Sequence, residues 1–282
     1  MWPRTRGENG LTLLELLVAL VISVLVIAAV YRTFVRQQKS YSIQEDVVDI
    51  QQNARVALNR MVSEVRMAGF GNVSMVLPVT FRRTEGGNVV ESKYDHVVNP
   101  DPSGGAVTIV TAINSAANGT TLSTPSARSR IQVSRLKDDQ NDPLFDLDNR
   151  KYISIDGVES NEIKSITPEN KEIELVRPLI YKHPAGTRVY PIRAISYQLL
   201  GRADSVGGGE QSLAENIERV QYQYLDGEGK EIADPLASVA TIRMIRITVT
   251  TRTENKDPNL PAGSDGYRRR ELSSNIHIRN IR

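Results

Sequence analysis

The stretch LTLLELLVALVISVLVIAAV, residues 11–30, decides the fold of this chain. Its polar side chains are only Thr12, Glu15 and Ser23, and Tyr31 extends the run to 21 residues. At about 1.5 Å per residue, a helix of this length matches a bilayer hydrocarbon core of about 30 Å. The stretch therefore predicts a transmembrane helix over residues 11–31.

Glu15 is the residue in this run that an ordinary membrane anchor does not explain. A carboxylate inside such a span costs about 2.5–3.5 kcal/mol on insertion scales, so it indicates a functional site with a partner. A secretory signal peptide is a second alternative, and Ala28-Ala29 resembles its cleavage site. Its apolar core is about 7–15 residues long, however, which is shorter than this run.

A ten-residue leader precedes the run, carries Arg4 and Arg6, and ends in Gly10. Together with Leu11, Thr12 and Glu15, this leader resembles the class III signal sequence of type IV prepilins and pseudopilins. The resemblance implies cleavage by a prepilin peptidase between Gly10 and Leu11, followed by methylation of the new amine of Leu11. The family usually has phenylalanine at the position of Leu11.

The same resemblance implies a role in subunit assembly for Glu15 and Thr12. Glu15 would be the fifth residue of the mature chain, and its carboxylate would pair with the methylated amine of an adjoining subunit. Removing one partner of a buried ion pair typically costs about 3–5 kcal/mol, so such pairing would set the register between subunits. Thr12 would orient the chain start or serve only as a hydroxyl that a helix tolerates.

The resemblance also implies where the protein is located and how it is oriented in the membrane. The charges that flank the span do not decide the orientation. Arg4 and Arg6 precede the span, whereas Arg32, Arg36 and Lys39 follow it. By resemblance, the N-terminus is cytoplasmic before processing and the chain is a single-pass protein of the bacterial inner membrane. It then enters the periplasm, a pilus or the cell surface.

The helix is predicted to continue far beyond the span, over residues 11–69. Neither glycine nor proline occurs among the 58 residues from Leu11 to Ala68, and Gly69 and Gly71 then provide a stop. Apolar residues recur at steps of three or four along its second half. They are Ile43, Val47, Ile50, Ala54, Ala57, Met61 and Val65. This stripe predicts packing on the following domain, with a coiled-coil partner as the alternative.

After Gly71 the apolar period changes from 3.6 to 2, which predicts strands. The predicted strands are 106–113, 131–136, 152–155, 162–166, 172–176, 192–200, 219–225, 241–252 and 271–281. The fold class is therefore α+β, with a long N-terminal helix packed on a C-terminal antiparallel β-rich domain. The predicted domains are a leader at 1–10, the helix at 11–69, and a periplasmic or extracellular β-rich domain at 70–282.

Two further segments are similar to the PilW group of minor pilins. They are the helix end, residues 66–71, and the C-terminal part from Leu213 to Ile281, which contains the strand sequence Gln221 to Tyr224. The resemblance implies a minor pilin that primes or caps assembly of a type IV pilus. Its partners would be the peptidase, other minor and major pilins, and inner-membrane lipid. A type II secretion J-type pseudopilin and a pilus-tip adhesin are the alternatives.

Composition and motifs favour a structural protein over an enzyme. The net charge is +2, there is no cysteine, and the three histidines lack metal-ligand spacing. No catalytic motif, cofactor site, metal site, nucleic-acid patch or small-molecule ligand is predicted. The alternative to a solvated acidic loop is a calcium site formed by five aspartates. They are Asp138, Asp139, Asp142, Asp146 and Asp148.

Overall fold

The computed structural model describes residues 12–85, 88–113, 119–126, 128–199, 201–205, 211–257, 259–261 and 263–281. The architecture is α+β, as predicted, with one long helix and antiparallel sheets. Contacts divide the chain into two compact units. The first comprises Met1–Asp49 and Thr253–Arg268, and the second comprises Ile50–Arg252 and Arg269–Arg282.

The long helix, α1, extends over Leu13–Arg66 without interruption. It ends three residues before the predicted limit because residues 67–70 form turns. The amides of Met67 and Ala68 each donate to the carbonyl three residues earlier, which tightens the final turn. Gly69 then adopts a φ of 78°, a left-handed conformation that glycine reaches without steric cost.

Gly69 and Gly71 also allow the end of α1 to approach the sheet closely. The amide of Gly69 donates to the Val110 carbonyl at 2.9 Å. A Cβ atom at Gly69 would lie 2.7 Å from the Asn280 carbonyl oxygen, and one at Gly71 would lie 2.6 Å from the Ala112 Cβ. Larger residues at either position would therefore push the helix end away from the strands.

Fourteen strands follow within the described residues, and every pair is antiparallel. They are β1 Val79–Glu85, β2 Asn88–Tyr94, β3 Val98–Pro100, β4 Val107–Ala112, β5 Thr120–Thr121, β6 Arg130–Gln132, β7 Tyr152–Ile155, β8 Glu159–Thr167, β9 Glu172–Leu175, β10 Arg188–Tyr197, β11 Arg202–Asp204, β12 Ile217–Leu225, β13 Met244–Arg252 and β14 Arg269–His277.

The strands form three sheets in the second unit. One is the hairpin β1-β2 and another has the order β12-β13-β14. The largest has nine strands in the order β3-β4-β10-β7-β8-β9-β6, with β5 and β11 also paired to β10. Each of the nine predicted strands has a counterpart, but β1, β2, β3, β5 and β11 were not predicted. Two are three residues long and one has only two, which is too short for a periodic signal.

The second half of α1 supplies one wall of the core in the second unit. From Ile50 onward, each residue of the predicted stripe is buried. Ala54, Ala57, Met61 and Val65 lie in one apolar cluster with side chains of β12, β13 and β14. The predicted packing of the helix on the β-rich domain is thus confirmed for this part of α1.

In the first unit, the segment 253–268 folds on itself around Asp257. The amide of Asp257 donates to the Gly266 carbonyl at 2.7 Å, and the Arg268 guanidinium donates to the Asp257 carboxylate at 2.6 Å. Asn255 donates its side-chain amide to the carboxylate of Asp46 on α1 at 3.1 Å. Ile43 of the predicted stripe is buried in this unit, whereas Val47 is half-buried.

Candidate functional site

The start of α1 carries the two predicted assembly residues that the structure describes, Thr12 and Glu15. Gly10 and Leu11, the predicted cleavage and methylation positions, lie outside the described residues. Thr12 immediately precedes the helix, and its carbonyl accepts the first intrahelical bond, from the Leu16 amide at 3.1 Å. Thr12 is therefore the N-cap residue of α1.

Thr12 and Glu15 bond to each other in both directions. The amide and the hydroxyl of Thr12 donate to Glu15 Oε2 at 2.9 and 3.0 Å, and the Glu15 amide donates to Thr12 Oγ1 at 3.3 Å. This is a capping box, in which residues three apart satisfy amides that the helix start leaves without partners. Thr12 thus has a definite place beside Glu15, which spacing alone did not reveal.

The capping box uses only one oxygen of the Glu15 carboxylate. Both bonds from Thr12 end at Oε2, and within the part of the chain that the structure describes no group donates to Oε1. The negative charge also lies beside the positive end of the helix dipole, which favours it there. Glu15 therefore keeps an acceptor oxygen that can receive a donor from another molecule.

The helix beyond Glu15 offers an apolar surface, and its hydroxyl groups at Ser23 and Thr33 bond to the backbone of the helix itself. The large apolar side chains of its first half are exposed, with Leu20 at 65% as an example. The hydroxyls of Ser23 and Thr33 donate to the carbonyls of Ala19 and Ala29 at 2.8 and 3.0 Å. Such internal bonding is what a bilayer core requires. Among the described helices, α1 is long and apolar enough to cross a membrane.

A second carboxylate of α1, Glu64, lies in a polar cluster of the second unit. It accepts hydrogen bonds from the Tyr197 hydroxyl and from Arg202 Nε, the latter at 2.7 Å. Arg202 also contacts the Asp204 carboxylate at 3.2 Å, and Arg193 contacts the same carboxylate at 3.1 Å. The cluster fastens the helix to β10 and β11 by charged hydrogen bonds.

Burial and the neighbouring charges keep the Tyr197 hydroxyl and the Arg202 guanidinium of this cluster protonated. Tyr197 is fully buried, and this burial, together with the Glu64 carboxylate, raises the pKa of its hydroxyl above the ordinary value, so it remains a donor. Burial opposes the charge of Arg202, but bonding to Glu64 and attraction by the nearby carboxylates outweigh it and raise the Arg202 pKa. Sequence reasoning missed this cluster because Glu64 is 133 residues from Tyr197 and 138 residues from Arg202 in the chain.

In the acidic loop that was considered as a calcium site, four of the aspartates bond to backbone amides or to arginine side chains. Asp138 Oδ1 accepts two backbone amides, and Asp146 Oδ1 accepts three. Asp139 pairs with Arg135 at 2.7 Å, and Asp148 pairs with Arg82 at 3.1 Å. Within the described residues, no group of three or more acidic or histidine side chains is arranged to hold a metal.

The histidine in the core also has a local partner. Buried His183 lies 3.2 Å from a Glu159 carboxylate oxygen, and Glu159 accepts the amides of Ile180 and Tyr181 at 2.7 and 3.2 Å. Both side chains belong to the second unit. The arrangement explains how a carboxylate can be buried there, because three donors surround it.

Comparison with known proteins bears on the first part of the chain. Residues 5–31 match the family model described as Prokaryotic N-terminal methylation motif. No curated protein and no solved structure matches the chain. The matched motif is a prepilin-type signal, which implies processing by prepilin peptidase and association with other pilins. The long apolar helix is consistent with anchoring in the inner membrane. The N-terminal part of this chain thus carries a prepilin-type methylation motif, which supports a type IV pilin-like protein.

Proposed function

We propose that this protein is a minor pilin, a non-catalytic subunit that helps to prime or cap the assembly of a type IV pilus. The PilW-like segments of its sequence support this identity. So does Arg32, which occupies the position where many major pilins carry a helix-kinking proline. The observation that carries the proposal is the carboxylate of Glu15, which sits on an exposed apolar helix with one oxygen lacking a donor in the described part of the chain.

The proposed mechanism follows from the two oxygens of Glu15. Oε2 is bonded to Thr12 and fixes the carboxylate at the helix start. Oε1 then accepts the methylated amine of an adjoining subunit, so that two charges that are costly in an apolar environment neutralise each other. Subunits in a wrong register would leave the carboxylate without this partner. Pairing therefore selects one register between neighbouring helices.

The experiment separates the charge of Glu15 from its capping role. Glu15→Val removes both, whereas Glu15→Gln keeps an amide oxygen that can still cap, since glutamine also occurs in capping boxes. Thr12→Ala removes the hydroxyl of the cap but keeps the charge and the bond from the backbone amide of residue 12 to Glu15 Oε2. We expect all three variants to be cleaved, and we expect the two Glu15 variants to lose at least tenfold in co-isolation with other pilins while Thr12→Ala stays within twofold of wild type.

Two measurements decide the outcome. Mass spectrometry of the mature protein should find Leu11 as a methylated N-terminal residue, and a product that retains residues 1–10 in cells that process their other pilins would contradict the proposal. Quantitative co-isolation then tests the mechanism. If Glu15→Gln assembles as well as wild type, the ion pair is not what joins the subunits.

A further inference from the structure

Three cations follow the apolar part of α1 on one face of the helix. Arg32, Arg36 and Lys39 are separated by four and three residues, so they lie within about 60° of one another around the helix axis. All three are exposed. Within the residues that the structure describes, none of them has a hydrogen bond or an ion pair. We name these three residues the basic stripe.

No acidic residue of α1 lies within four positions of the basic stripe. Residues 16–44 contain no aspartate or glutamate, so none can pair with the stripe at a spacing of three or four. Farther along α1 the situation differs, because Arg60 and Glu64 are four residues apart and their side chains approach to 3.9 Å. The stripe therefore presents uncompensated positive charge to whatever surrounds this part of the helix.

The distance of the basic stripe from the apolar segment is comparable to the thickness of a lipid headgroup layer. That layer is about 5–8 Å thick on each side of the hydrocarbon core. At about 1.5 Å per residue, Arg32 and Arg36 lie roughly 1.5 and 7.5 Å beyond Tyr31, and Lys39 lies roughly 12 Å beyond it. Helical side chains lean toward the N-terminus, here toward the membrane, and long cationic side chains extend to the interface.

Aromatic residues mark the same level of the helix. Tyr31 and Phe34 are 66% and 61% exposed, and aromatic side chains are enriched where membrane spans meet water. Phe34 lies on the face opposite the basic stripe, since two residues from Arg32 is about 200° around the helix. One turn of α1 thus carries both an apolar contact for the acyl chains and a cationic contact for the headgroups.

We propose that the basic stripe binds the phosphate groups of anionic phospholipids in the leaflet from which α1 emerges after residue 31. The inference rests on the proposed function, because it requires that α1 be held in a membrane. Zwitterionic headgroups carry no net charge. Near an anionic membrane surface, by contrast, each Lys or Arg raises the binding constant for the membrane by about fivefold. The stripe therefore selects lipids by charge, and leaving the bilayer for a filament breaks these contacts.

The test measures which lipids surround the full-length protein. The chain is reconstituted in phosphatidylcholine vesicles that contain a trace of spin-labelled phosphatidylglycerol or spin-labelled phosphatidylcholine, and the motionally restricted fraction of each is compared. We expect wild type to restrict phosphatidylglycerol at least threefold more than phosphatidylcholine in low salt. The preference should decline as salt is raised, because exposed charges are screened.

Matched variants assign this preference to the stripe. Arg32→Gln/Arg36→Gln should reduce it at least threefold, whereas Arg32→Lys/Arg36→Lys should retain it. The control Arg55→Gln/Arg66→Gln removes the same charge from exposed positions farther along α1 and should leave the preference unchanged. Equal restriction of the two lipids by wild type, or an unchanged preference in the first variant, overturns the inference.

Two results separate this inference from the proposed function. If the protein does not remain in vesicles after extraction with alkaline carbonate, the membrane-held helix itself is wrong, and both proposals fall. If it remains there without lipid preference, only the lipid inference fails. Should Arg32→Gln/Arg36→Gln then also lose co-isolation with other pilins, the stripe is a contact for an acidic protein surface.

Discussion

Glu15 and Glu64 are carboxylates on the same helix, but they use their charge in different ways. Glu15 bonds only to Thr12, three residues away, and leaves one oxygen without a donor from the described residues. Glu64 bonds to Tyr197 and Arg202, which come from distant strands. One helix therefore contains a carboxylate that is bonded within its own fold and another that is open to a second molecule.

The apolar side chains around the two carboxylates also differ, because those near Glu15 are exposed and those near Glu64 are buried. The side chains beside Glu15 are apolar and exposed, so this part of the helix has nothing of its own chain to cover it within the described residues. Beside Glu64, Met61 and Val65 are fully buried in the core of the second unit. Apolar surface that the chain leaves exposed needs a membrane or a partner subunit, because water disfavours it.

The two single variants Glu15→Ala and Glu64→Ala should differ most strongly, both in the free energy of unfolding and in co-isolation with other pilins. Glu64→Ala leaves the buried Tyr197 hydroxyl without its acceptor and removes one of the two carboxylates that Arg202 contacts. We therefore expect the free energy of unfolding of the β-rich domain to fall by about 3 kcal/mol. Glu15→Ala should change it by less than about 0.5 kcal/mol but should abolish co-isolation with other pilins. Denaturant unfolding of the detergent-solubilised chain measures the first quantity.

Glu45→Ala provides the control for this exchange, because Glu45 is an exposed carboxylate between the other two. It should affect neither unfolding nor assembly. Equal losses of stability in Glu15→Ala and Glu64→Ala would show that both carboxylates serve the fold, and the contrast between them would disappear.

A second experiment compares apolar truncations in the two halves of the helix. Met61 is fully buried, so Met61→Ala should lower the free energy of unfolding by about 2–5 kcal/mol through lost contacts and a cavity. Leu20 is 65% exposed, and Leu20→Ala should change the value in detergent by less than about 0.5 kcal/mol. A large loss for Leu20→Ala would mean that the first half packs on the chain itself.

The smallest effect concerns Asp257 and the segment 253–268 in the first unit. The Asn259 amide, which donates at 2.9 Å, lowers the Asp257 pKa below its ordinary value against the effect of burial, and Arg268 adds to this lowering. A carboxyl with a lowered pKa stabilises the fold above its unfolded pKa of about 3.9, and this stability is lost as pH falls through the lower folded value.

Hydrogen exchange of the Asp257 and Thr253 amides is the measurement for this prediction. Protection should be constant from pH 7 to about 5 and should decline below about 4, after correction for the intrinsic exchange rate. Asp257→Asn should remove this pH dependence, whereas Asp265→Asn, in the same segment, should keep it. Protection that declines equally in Asp257→Asn would assign the titration to another group.

The site at the start of the helix was predictable in part. Thr12 and Glu15 stand three residues apart at the beginning of an apolar run. The role of both in subunit assembly is implied by the prepilin resemblance and stays a prediction. Sequence alone left open whether Thr12 does more than occupy the helix, since the capping box appears only once the helix start and the side-chain rotamers are known. The cleavage position at Gly10 and Leu11 stays a prediction from the motif.

The Glu64 cluster could not have been predicted, for a different reason. The position of Glu64 next to Val65 of the predicted stripe was visible in the sequence. Its partners were not, because Tyr197 and Arg202 are placed by the pairing of β10 with β11. The hairpin β1-β2 was missed for a local reason, because residues 82–88 are polar or glycine and carry no apolar alternation.

Several features follow from the amino-acid sequence alone. They are the long helix, its membrane-compatible first half, its glycine stop, the buried stripe and the alternation of the longer strands. These are properties of local periodicity and composition, which act over a few neighbouring residues. Only the tertiary structure decided the order of strands in the sheets, the partners of Glu64 and the use of the acidic loop's carboxylates. Such contacts join residues far apart in the chain, and their choice depends on the free energy of the whole packed domain rather than on any single segment.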